Sequence, residues 1–109
     1  MLRTGYRFEV RKSRHLLVVT LWGEIDHHSA GALRSDLDEL ILKERPGRLL
    51  LDLSGIEFMD SSGLGLLMGR YRLMKDVGGE MAILHPNARV LKILRLSGME
   101  RFMEIDGAR

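Results

Sequence analysis

The chain has 109 residues, enough for one domain with a real core and too few for two. Its 45% hydrophobic and 29% charged residues are those of an ordinary globular protein, and the absence of cysteine excludes a disulfide framework, a thiolate nucleophile and a cysteine zinc site. Seventeen basic residues face fifteen acidic ones for a net charge of +2 without any block of like charge, so direct nucleic-acid binding is not expected. The longest apolar stretches, such as Leu16-Leu17-Val18-Val19, are strand length and far below the roughly 20 residues of a membrane span. The N-terminal MLRTGYRFEV holds no apolar signal core. Neither export nor stable membrane association is expected, and a cytoplasmic location is.

In chain order, Tyr6, Phe8 and Val10 alternate with polar residues and predict a half-buried strand. His15 to Trp22 predicts a second, with Lys12-Ser13-Arg14 as the hairpin turn. Asp26 or Ser29 can cap a helix whose apolar face is Leu33, Leu37, Leu40 and Ile41, ended by Pro46-Gly47. Arg48 to Leu53 is a short strand, and its run of leucines predicts cover on both faces. A loop ending in Met59-Asp60 leads into a helix from about Ser61 to Val77, stopped at Gly78-Gly79. Glu80 to His85 is another strand, Pro86-Asn87 opens a third helix ended by Ser97-Gly98, and Arg101 to Ile105 adds an edge strand. The order β-β-α-β-α-β-α-β predicts a single α/β domain over 1–109, core about 6–106, with a mixed sheet of four to five strands and right-handed crossover helices.

The start of the central helix holds the most chemistry. A serine at a helix N-terminus sits beside free backbone N–H groups and the positive end of the dipole, a suitable place for a phosphate. Ser61 and Ser62 could simply cap the helix, but Asp60 can do so equally well, and no Glu or Gln lies three residues after either serine to complete a capping box. On a helical wheel Leu64, Leu67, Met68, Tyr71 and Met74 share one side and are expected to face the sheet. Leu66 and Leu73 fall opposite, on the side of Ser62 and Gly69, where Leu66 could edge a docking surface. Gly63, Gly65 and Gly69 each cost about 1 kcal/mol relative to alanine. Close helix-to-sheet packing explains such glycines, and so does a bare backbone that another macromolecule approaches.

Other chemistries fit less well. The nucleophile elbow of a serine hydrolase needs glycine two positions before the serine, where Met59 and Asp60 stand. Glu24, Asp26, His27 and His28 suggest a metal site, but adjacent residues share no face of a helix or strand, and a polar turn explains them better. No phosphate-binding glycine loop follows a strand, and Gly63-Leu64-Gly65 lacks the third glycine of a dinucleotide site.

The run Ile56-Glu57-Phe58-Met59-Asp60-Ser61-Ser62-Gly63-Leu64-Gly65 resembles the signature of the STAS domain of bacterial anti-sigma factor antagonists. The segments Gly23 to Ala30, Gly69-Arg70-Tyr71 and Gly78 to Met81 resemble the sporulation type, which acts on sigma F, and Leu96-Ser97-Gly98-Met99 is similar to the family's C-terminal Leu-Ser/Thr-Gly-Leu. Stress-response antagonists share the fold and the serine. The resemblance implies a protein that is not an enzyme and needs no cofactor. Unphosphorylated, it would bind an anti-sigma factor that is itself an ATP-dependent serine kinase and so release the sigma factor. The kinase would phosphorylate Ser61, and a PP2C-type phosphatase would reverse this. Asp26, His27, Met59, Asp60, Ser62, Gly63 and Leu64 are expected by resemblance to form the partner surface, with Leu66 added from the wheel. A ligand-sensing role, for which this fold also serves, would call for a pocket-forming insertion, and none is apparent.

Overall fold

The computed structural model describes residues 5–106, so the ends of the expected 1–109 domain lie outside the described residues. Strands β1 (Tyr6–Ser13) and β2 (Leu16–Ile25) form an antiparallel hairpin. The turn is Arg14-His15 rather than Lys12-Ser13-Arg14, with His15 in the left-handed region at φ 64° and Ser13 already paired to Leu16. Helix α1 (Ala30–Glu44) closes on a left-handed Arg45, whose N–H donates to the Ile41 carbonyl at 2.8 Å. Strand β3 (Arg48–Met59), helix α2 (Ser61–Asp76), strand β4 (Glu80–Leu84) and helix α3 (Ala88–Leu96) follow. A single 3-10 turn at Met99–Arg101 then leads to β5 (Glu104–Asp106). The five strands lie in chain order, β1-β2 antiparallel and every later pair parallel, the mixed sheet expected of this alternation.

The core forms where the alternating sides of β2 and β3 meet the helices. Leu17, Val19 and Leu21 of β2 and Leu49, Leu51 and Leu53 of β3 are fully buried, and each contributes roughly 1.5–3 kcal/mol. Leu33, Leu37 and Ile41 of α1 join the same cluster, as do Leu66, Leu67 and Met74 of α2 and Val90 and Leu94 of α3. The intervening Val18 and Leu50 are only half-buried, so the leucine run of β3 is not covered on both faces as its composition suggests. On the more open side Arg7 lies over the Trp22 ring, 4.4 Å from its centroid.

Strand β3 runs six residues beyond the expected end at Leu53. Its register against β2 shifts between Thr20 and Trp22 and again between Gly23 and Glu24, so Ser54 to Met59 pair without a regular inside-outside alternation. Gly55 sits under the Trp22 indole, where a Cβ would come within 2.6 Å of Cγ. This irregular stretch carries the chain to Asp60.

Candidate functional site

Strands β2 and β3 end together, which brings two loops side by side. Ile25 pairs with Met59, and the Asp60 N–H donates to the Ile25 carbonyl at 3.2 Å. The turn Asp26–Ser29 and the start of α2 therefore share the carboxyl edge of the parallel strands, where open α/β sheets place their sites.

The first turn of α2 resolves the competition among Asp60, Ser61 and Ser62. Asp60 is the N-cap, in extended conformation, and its Oδ1 accepts from the Ser62 N–H at 2.8 Å. Ser61 is the first helical residue, exposed, and its hydroxyl makes no hydrogen bond to another described residue. Asp60→Ala is expected to cost about 0.5–2 kcal/mol of stability through loss of this cap. A thermal melt reads the loss directly.

The neighbouring turn is tied by its own carboxylate. Asp26 Oδ1 accepts from the N–H groups of His28 at 2.9 Å and Ser29 at 3.0 Å, and the Ser29 hydroxyl donates to the Glu24 carbonyl at 2.9 Å. Ser29 occupies the N-cap position of α1 without capping it by its side chain, and Asp26 stabilises the turn instead of the helix. The Ser29 N–H holds the Asp26 carboxyl below its ordinary value of 3.8. A lowered folded value means that the contribution to stability is present above the unfolded pKa and lost as pH falls through the folded one. An NMR titration is expected to show Asp26 protonating below pH 3.8, and to show it still doing so in Ser29→Ala, which keeps the backbone N–H and loses only the smaller contribution of the hydroxyl.

The expected partner residues divide by exposure. His27 and Ser61 are exposed, and Asp26, Asp60, Ser62 and Leu64 are half-buried. The rings of His27 and His28 lie 3.9 Å apart between centroids, tilted by 38°, an approach that the turn allows and a helix or strand would not. Among the described residues no three His, Asp or Glu side chains converge as metal ligands.

Three of the expected partner residues are buried. Met59 is 1% exposed and points into the core. Gly63 is buried above it, because a Cβ there would stand 2.9 Å from Met59 Sδ and 3.3 Å from Ile25 Cγ2. Its glycine serves close helix-to-sheet packing. Leu66 is 4% exposed, set deep in the groove where α1 lies against that flank of α2. The covered face of α2 is Gly63, Leu66, Leu67, Arg70 and Met74, while Leu64, Met68 and Tyr71 are half-buried, so the wheel is turned from its expected setting. Gly65 and Gly69 have open space where a Cβ would be, with nothing within 4 Å. Phe58 is 42% exposed one residue before Met59, an apolar surface ring that periodicity does not mark because the register shift lies opposite it.

Residues 7–108 match the STAS domain family. An anti-sigma F factor antagonist of Paenibacillus polymyxa is 40% identical over 91% of this chain and 85% of its own length. The structure of the anti-sigma factor antagonist SpoIIAA in its unphosphorylated form superposes with a TM-score of 0.78 at 30% identity, covering 93% of this chain and 89% of that one. The phosphorylated form of the Bacillus cell fate determinant SpoIIAA gives a TM-score of 0.70 at 29% identity, over 93% and 92%. Matched over nearly all of its length, with its helix-opening serine in the open, the chain belongs to the STAS domain family.

Proposed function

We propose that the chain is an anti-sigma factor antagonist of the sporulation type, switched at Ser61. Unphosphorylated, it binds an anti-sigma factor that is also an ATP-dependent serine kinase and so frees the sigma factor, sigma F. The kinase then phosphorylates Ser61, and a PP2C-type phosphatase restores the binding form. The chain itself catalyses nothing and uses no cofactor, since the ATP belongs to the kinase.

The observation that carries this reading is the division of labour at the start of α2. Asp60 provides the cap, and Ser61 is left exposed with an unengaged hydroxyl at the positive end of the helix. A capping serine would have to break its own hydrogen bond to accept a phosphate, and the Ser61 hydroxyl has none to another described residue. The relatives support the biological setting, since one is named for the anti-sigma F factor and another occurs in a phosphorylated form. The contact surface is His27 and the exposed edges of Asp26, Asp60, Ser62 and Leu64, with Phe58 as the apolar element beside them.

Adding the unphosphorylated chain to a preformed complex of sigma F and its anti-sigma factor tests this directly. On gel filtration, free sigma F and a new complex of antagonist with anti-sigma factor are expected. A sigma complex that stays intact at excess antagonist contradicts the reading. Release from a stress-response complex in place of the sigma F complex would transfer the same mechanism to that pathway.

A further inference from the structure

Beside Ser61, an open groove of about 270 Å³ lies between α1 and α2. Arg34 and Arg70 border it and no carboxylate does, while Gly31, Ser62, Gly65 and Gly69 keep its walls low. Arg70 is 7% exposed, an unusual degree of burial for a guanidinium. Its Nε stands 2.8 Å from Asp38 Oδ1, off the line of a hydrogen bond, and its enclosed Nη1 has no hydrogen-bond partner among the described residues. Burial pulls its pKa below the ordinary value, Asp38 opposes this, and Arg34 adds to it. Asp38 is thus the one carboxylate set against Arg70 among the described residues, and the exposed Arg34 adds a second positive charge at the groove, a setting that favours an oxyanion.

The geometry points to this groove as the receptor for an acidic side chain of the anti-sigma factor, an Asp or Glu carboxylate held by Arg34 and Arg70. The inference rests on the antagonist reading and extends its docking surface from Ser61 along the flank of α2. The volume falls just below the roughly 300–1,000 Å³ of small-molecule pockets and suits a side chain better than a whole metabolite. Ser62, Gly65 and Gly69 follow one another at i, i+3 and i+7 along that flank, and a Cβ on either glycine would meet nothing within 4 Å. Their cost in helix propensity is not offset by packing within the domain, and they leave α2 open to the backbone of a docked partner.

Calorimetric titration with the anti-sigma F factor of the same genome tests the groove. Arg34→Glu is expected to weaken binding about tenfold or more, and Gly65→Leu, which fills the groove from an open position, by a similar factor. Arg89→Glu, the same charge change on the exposed face of α3, is expected to cost less than about threefold. Thermal melts confirm that each variant is folded. Wild-type affinity in Arg34→Glu and Gly65→Leu, or an equal loss in Arg89→Glu, overturns the groove and leaves the Ser61 switch standing. No binding by the wild type or by Ser61→Ala overturns the antagonist reading and the groove with it. Inorganic phosphate that shifts the Gly65 and Gly69 amide resonances, without any effect of Arg34→Glu on partner binding, makes this a site for a free anion and also overturns the docking proposal.

Discussion

Ser61→Asp is expected to leave the protein folded, with an unchanged or slightly raised melting temperature, and to weaken binding to the anti-sigma kinase by roughly 30- to 1,000-fold. The two effects have different origins. A negative charge at the first helical position interacts favourably with the helix dipole, by some 0.3–1 kcal/mol. The phosphate it imitates carries about −1.5 to −2 charges at neutral pH. That charge falls on the proposed docking surface, next to Asp60 and close to the Asp26 turn, where it is expected to crowd the partner and add to the negative charge already present. A loss of about 2–4 kcal/mol of binding gives the stated range. Ser61→Ala is expected to bind like the wild type and to escape inactivation. A Ser61→Asp protein that melts markedly lower would place the switch in the fold and not in the complex.

The second large effect separates two glycines only two residues apart. Gly63→Ala is expected to destabilise the domain by about 1–3 kcal/mol, because its Cβ would enter the Met59 side chain near the root and press on Ile25 Cγ2. Gly65→Ala is expected to stabilise it by roughly 0.5–1 kcal/mol, since the new methyl meets nothing and the helix gains propensity. Urea unfolding of the two variants reads both signs in one experiment. Equal effects would mean that the helix does not sit on Met59 as described.

The stripe Leu33, Leu37 and Ile41 was legible in the sequence because one periodic face meets one core, and all three are buried. The bounds of α2 were legible too, since Asp60 and Gly78-Gly79 are local start and stop signals. Its orientation was not. Arg70 reads as solvent-facing by its charge, and its burial depends on Asp38, thirty-two positions earlier on another helix. Gly63 carries no apolar side chain, yet it marks the covered face by what it lets approach. A wheel weighted by hydrophobicity turns away from both residues, and the assignment of Leu66 to the surface follows from that rotation.

The length of β3 was hidden for a related reason. Ser54 and Gly55 interrupt the alternation that announces a strand, but the backbone pairs onward through a shifted register that side-chain pattern does not record. The exposed ring of Phe58 comes from the same irregularity. At the site itself, the Asp-Ser-Ser order marked the place, and resemblance singled out Ser61. Which side chain caps the helix required the geometry, because Asp, Ser and Ser are all competent caps.

The most direct measurement is intact-mass and fragment spectrometry after incubation with the anti-sigma F kinase and ATP. One phosphate on Ser61, absent from Ser61→Ala, is the predicted result. No phosphate with this kinase or with a stress-response one, or a phosphate that persists in Ser61→Ala, would contradict Ser61 as the switch.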